Sequence, residues 1–85
     1  MLTGEQIKAA RALARLDQNE LAALAEVSFE TVKRLEQMRG EIRATVATEK
    51  AIRQAFASRG VVFIDENGGG AGVRLAKPAH SLGEG

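Results

Sequence analysis

Over the first two thirds of the chain, apolar residues recur at helical spacing, and each run is opened by a side chain suited to cap it. Thr3 with Gln6 and Asp17 with Glu20 have the form of capping boxes. Leu2 with Ile7 and Leu16 with Leu21 flank them as hydrophobic staples. A first helix is therefore predicted to follow Thr3 through the alanine- and leucine-rich run to Leu16, with Ile7, Ala10, Leu13 and Ala14 toward the core. A second starts near Gln18 and runs out near Ala25. Ser28 and Thr31 open a third over residues 28–37, with Val27 and Val32 as its staple. Thr45 caps a fourth through about Ser58, whose apolar stripe is Val46, Ile52, Ala55 and Phe56, and Gly60 supplies a stop. Between the third and fourth helices QMRGEIR, residues 37–43, reads as a loop with two arginines at its shoulder.

Beyond Gly60 the pattern changes from helical to extended. VVFID, residues 61–65, and VRL, residues 73–75, are β-branched and aromatic runs separated by the flexible turn ENGGGAG, which predicts a hairpin. A two-stranded hairpin alone is marginal in water, so these strands must pack on the helices or pair with strands of a second subunit. The closing AKPAHSLGEG, rich in small and breaking residues, reads as a mobile tail. The expected fold is mainly α: a four-helix domain over residues 1–59, short β-strands over 60–76 that form a hairpin or a dimerisation element, and a flexible tail over 77–85.

The second and third helices are separated by so few residues that they must cross at a large angle. Ala22, Ala23 and Ala25 put small side chains where two backbones have to approach, and Leu21, Leu24, Val32 and Leu35 recur on the faces that share a core. That is helix-turn-helix geometry. The pattern Gln18, Leu21, Ala22, Val27, Ser28, Thr31, Val32, Arg34, Leu35 and Glu36 resembles the phage-repressor type of helix-turn-helix, the Xre/Cro-like transcriptional regulators, over about residues 3–57. The sequence departs from that family at two points. Glu26 stands where the turn usually has glycine, and Met38 where glycine usually follows the third helix, with Gly40 two residues later. A non-glycine residue holds a left-handed conformation at modest cost. The resemblance implies an ion pair between Arg11 and Glu36 that ties the first helix to the third, and a phosphate contact from Gln18.

If the third helix enters a major groove, its N-terminal residues face base edges. With Val32 and Leu35 pointing inward, Phe29, Glu30 and Lys33 are left to do so, and Arg34 is placed to read guanine or hold phosphate. Lys33 matches guanine O6 and N7, Glu30 matches cytosine N4, and Phe29 matches a thymine methyl. Gln18, Ser28, Thr31, Arg39 and Arg43 are the candidate phosphate contacts, the first three at helix N-termini. Against this, Phe29 could serve the core, Glu30 could favour the positive end of its own helix, and Ser28 could be a cap alone.

Charge changes the picture less by its sum than by its distribution. The 85 residues carry a formal net charge of only +1. Lys33, Arg34, Arg39, Arg43, Lys50, Arg53 and Arg59 outnumber Glu36, Glu41 and Glu49, so the positive excess follows the third helix. There is no cysteine, which removes disulfides, thiolate metal sites and a cysteine nucleophile. His80 is the single histidine and has no companion suited to metal binding or acid–base work, so no enzyme activity, metal or cofactor is expected. The GGG run lacks the lysine and hydroxyl residue of a phosphate-binding loop. No apolar run approaches the roughly 20 residues of a membrane span, and the N-terminus has no secretory pattern. The expectation is a cytoplasmic regulator that binds double-stranded DNA as a homodimer and is nucleoid-associated when bound. The alternative is a protein-interaction module, such as an antitoxin or anti-activator, that grips a partner protein with its C-terminal strands.

Overall fold

The computed structural model describes residues 1–66 and 68–76. The expectations for the tail, His80 included, lie outside the described residues. Among the described residues four helices are followed by two strands: α1 (Gly4–Ala14), α2 (Gln18–Ala25), α3 (Phe29–Glu36), α4 (Val46–Ala57), β1 (Val61–Ile64) and β2 (Gly72–Leu75). None of the described helices is long and apolar enough to cross a membrane.

The helix starts follow from local chemistry. Thr3 and Asp17 each accept a backbone N–H three residues on, while Gln6 and Glu20 reach back to the cap backbone, closing both capping boxes. Ser28 and Thr45 accept from the backbone N–H groups of Thr31 and Thr48. The two short linkers share one construction. In Arg15-Leu16-Asp17 and Glu26-Val27-Ser28 the first residue is left-handed, with φ 58° in both, the second is apolar, and the third caps the next helix. Leu16 N donates to Arg11 O and Val27 N to Ala22 O, while Arg15 N and Glu26 N donate to Ala12 O and Ala23 O. This is the Schellman arrangement, and its apolar residue packs back against the helix it ends. Glu26 thus holds the left-handed position without glycine, and Arg15 does the same where no such turn was expected.

One core joins all the elements. Leu2, Ile7, Leu21, Leu35, Ile52, Phe56 and Val61 are buried in it. α1 begins against the C-terminal end of α3. A Cβ on Gly4 would lie 2.7 Å from Leu35 O and 2.8 Å from Met38 O, so only glycine permits this approach. The positive end of α1 thereby meets the last carbonyls of α3.

The strands form an antiparallel hairpin with Val61 opposite Leu75 and Phe63 opposite Val73. These four residues pack toward the helices, and Phe63 meets Phe56 edge-on at 5.5 Å. Val62 and Ile64 occupy the opposite face and are half-buried. Gln6 fixes the hairpin in place. Its side-chain oxygen accepts from Thr3 N at 2.9 Å, and its Nε2 donates to Ile64 O at 3.1 Å and to Gly72 O at 3.0 Å. Asp65, just past β1, accepts from Arg53 at 3.1 Å, and that hydrogen bond with its charge holds the Asp65 carboxyl below its ordinary range. Arg53 also bonds Glu49 at 3.2 Å and lies 5.8 Å from the Phe63 ring centre.

Several expectations are corrected. Leu13 and Val46 are 42% and 84% exposed, because α1 and α4 turn those positions away from their neighbours. Ala23 is exposed while Ala22 and Ala25 are buried, so the approach of other backbones uses only one side of α2. The 37–43 segment is more than a loop: Ile42 is buried, its N–H donates to Leu2 O at 2.9 Å, and Thr3 pairs with Glu41 as an isolated bridge. α4 ends at Ala57 with Ser58 as its cap, β1 stops at Ile64, and β2 begins one residue early at Gly72.

Gln6→Glu separates capping from hairpin anchoring, since a carboxylate still accepts from Thr3 N but faces two carbonyls it cannot donate to. The variant is expected to lose about 1 to 3 kcal/mol and to show faster amide exchange in β1 and β2 at unchanged helix content; unchanged exchange would remove Gln6 as the anchor.

Candidate nucleic-acid interface

α3 presents two unlike faces. Val32, Leu35 and Glu36 are buried, whereas Glu30, Lys33, Arg34 and Gln37 are exposed. At 100° per residue these four fall within an arc of about 100°, a single polar stripe along the helix. Among the described residues, none of the four takes part in an ion pair or a side-chain hydrogen bond. Phe29 is half-buried at the edge of this stripe and Thr31 half-buried at its other side. Gln37 was not among the sequence candidates, although its position seven residues after Glu30 and three after Arg34 was the available signal.

The buried side of α3 is set by a charged seam. Arg11 Nε and Nη2 donate to the two oxygens of Glu36 at 2.7 and 2.9 Å, a bidentate pair, and Arg11 Nη1 donates to Leu16 O at 3.2 Å. The Glu36 side chain is 1% exposed and that of Arg11 23%. Hydrogen bonding to Glu36 raises the Arg11 guanidinium above its ordinary value, against partial burial, which lowers it; the charges of Glu36 and Asp17 add to the rise. The pairing implied by the family resemblance is present in the structure.

Gln18 belongs to the same seam. Its Nε2 donates to Glu36 Oε1 at 3.1 Å, so its side chain bridges the start of α2 to α3. One amide hydrogen and the free N–H groups of the first helical turn remain for another acceptor. Ser28 and Thr31 are linked to each other: their hydroxyls lie 2.8 Å apart, and Ser28 Oγ accepts from Thr31 N at 3.0 Å. Ser28 is therefore a cap in this structure, which leaves spare lone pairs and one hydroxyl hydrogen between the two residues. Arg39 and Arg43 are exposed after α3, and Arg43 N donates to Met38 Sδ at 3.2 Å. Gly40, with φ 71°, turns the chain between them. An open cleft of about 500 Å³ beside the end of α3 is bordered by Glu5, Lys8, Glu36, Gln37, Met38 and Arg39.

The exposed stripe of α3 and the start of α2 are thus locked together by Arg11, Glu36 and Gln18, and Arg39 and Arg43 follow on the segment that Ile42 ties to Leu2. Such a surface can offer hydrogen-bond donors and one carboxylate acceptor to a flat, polar partner. No protein-family model matches the chain, and no curated protein matches it.

Removing Arg11 leaves the Glu36 carboxylate buried with Gln18 alone. Arg11→Ala is expected to destabilise the domain by about 3 kcal/mol in denaturant unfolding, the low end for a broken buried pair because Arg11 is partly solvated. Adding Glu36→Gln should restore at least half of that loss, and a double variant no better than the single would show that the penalty is not an orphaned charge.

Proposed function

We propose that this chain is a sequence-specific DNA-binding transcriptional regulator of the helix-turn-helix kind, akin to the phage-repressor type its sequence resembles, and that it binds a palindromic operator as a homodimer. The observation that carries this reading is the outward stripe of α3. Glu30, Lys33 and Arg34 stand exposed without an ion-pair partner among the described residues, on a helix whose other side is buried in the core. Long charged side chains held on a rigid helix with unused hydrogen-bonding capacity suit base edges in a major groove.

In this reading α3 lies in the major groove with Phe29, Glu30, Lys33 and Arg34 toward the bases. Gln18, Ser28, Thr31, Arg39 and Arg43 meet phosphates on either side and set the register. Two copies place their α3 helices about 34 Å apart along the duplex. The seam between copies falls in residues 45–75, where Val46 is exposed and the outer hairpin face carries Val62 and Ile64. That same apolar face favours the second reading, a protein-interaction module such as an antitoxin or anti-activator; exposed Glu26 and Glu30 at the groove-facing end also favour it.

Salt discriminates between the two. A regulator enriches one inverted-repeat motif from a random duplex library, binds it in preference to competitor DNA, and loses affinity steeply as salt rises. Lys33→Ala is expected to cost about 1 to 3 kcal/mol on that motif and to relax one base position. An interaction module shows no motif and no such salt slope, and that result would overturn the DNA reading.

Sedimentation of the unaltered chain is expected to give a dimer at concentrations above its operator affinity. Val62→Lys with Ile64→Lys should shift it to monomer at unchanged helix content. A monomeric unaltered chain well above that affinity would remove the homodimer.

A further inference from the structure

The order of charges along α3 says which operators it suits. Glu30 lies in the first turn, and Lys33 and Arg34 in the last. With a rise of about 1.5 Å per residue, Glu30 precedes Lys33 by about 4.5 Å and Arg34 by about 6 Å. Base pairs are spaced about 3.4 Å apart, so the acid and the bases of this stripe fall within two base-pair steps of each other.

The carboxylate of Glu30 is available. Lys33 and Arg34 sit three and four residues away, the spacing at which opposite charges pair on a helix, yet the ion pairs among the described residues do not include them. The cap of α3 is made by Ser28, so Glu30 is not the side chain that closes that helix start.

A carboxylate only accepts hydrogen bonds. In the major groove guanine offers O6 and N7 and thymine offers O4, all acceptors that repel it. Adenine pairs a donor with the acceptor N7, while cytosine offers its N4 donor alone. Cytosine is therefore the best partner for Glu30. Lysine and arginine only donate, and guanine, with two adjacent acceptors, is theirs. Resting on the DNA reading above, we infer that each operator half-site carries a cytosine and a guanine at two closely spaced positions that this stripe reads. A cytosine faces Glu30, a guanine within two base-pair steps faces Arg34 or Lys33, and Glu30 determines specificity by excluding guanine and thymine at its position.

The test is selection from a random duplex library with the unaltered chain and with Glu30→Gln, followed by affinity measurements on the two winning duplexes. The unaltered chain is expected to select cytosine and guanine within two steps in each half-site. Glu30→Gln should exchange that cytosine for adenine, since a side-chain amide both donates to N7 and accepts from N6. The ratio of affinities for the two duplexes should move by about tenfold or more, with thermal unfolding unchanged. A motif without that cytosine and guanine, or one that Glu30→Gln leaves as it was, overturns this inference and leaves DNA binding standing. No enriched motif from either protein overturns the DNA reading itself.

Discussion

The carboxylate of Glu36, buried between α1 and α3, constrains the rest of the molecule. A charge taken out of water is tolerated only when its oxygens are well bonded, and Glu36 receives three donors: Arg11 Nε, Arg11 Nη2 and Gln18 Nε2. These come from α1 and from the first residue of α2, so satisfying one carboxylate fixes three helices relative to one another. Turning α3 by one residue would swing its side chains by about 100°. Glu36 would lose its partners, Val32 and Leu35 would leave the core, and part of the polar stripe would be pressed into it. The outward face of α3 is thus a consequence of what its inward face must satisfy. Gly4 completes the seam by letting the start of α1 close on the last carbonyls of α3.

The short linkers keep this arrangement stiff. Arg15-Leu16-Asp17 and Glu26-Val27-Ser28 each end one helix, drop an apolar side chain against the body and cap the next helix within three positions. A left-handed arginine or glutamate carries a backbone penalty of about 1 to 2 kcal/mol, which the two Schellman hydrogen bonds and the apolar contact offset. α2 and α3 are thus joined both by a three-residue linker and by the hydrogen bond from Gln18 Nε2 to Glu36.

The hairpin is part of the same body. Val61 and Phe63 extend the core that Phe56 and Leu2 begin, and Gln6 bonds a carbonyl on each strand. One face of the sheet is consumed in this way. The other face carries half-buried Val62 and Ile64, with exposed Arg74 opposite Val62.

Local chemistry made much of this legible from residues alone. A cap, a staple or a Schellman turn involves partners within about five positions, so the starts of all four helices, the stripe of Lys33 and Arg34, and the switch to strands after Gly60 could be read from spacing. The pairing of Arg11 with Glu36 came from family likeness, since nothing in either residue's neighbourhood demands it. Tertiary structure decided the rest. Whether Leu13 or Val46 is covered depends on which elements happen to lie over them, and both were left in solvent. Ile42 became core because the strand-like pairing of Thr3 with Glu41 drew its segment inward. Gln6 has the same sequence signature whether it only caps or also anchors; its bonds to Ile64 and Gly72 span 58 and 66 positions, a distance over which side-chain periodicity carries no information.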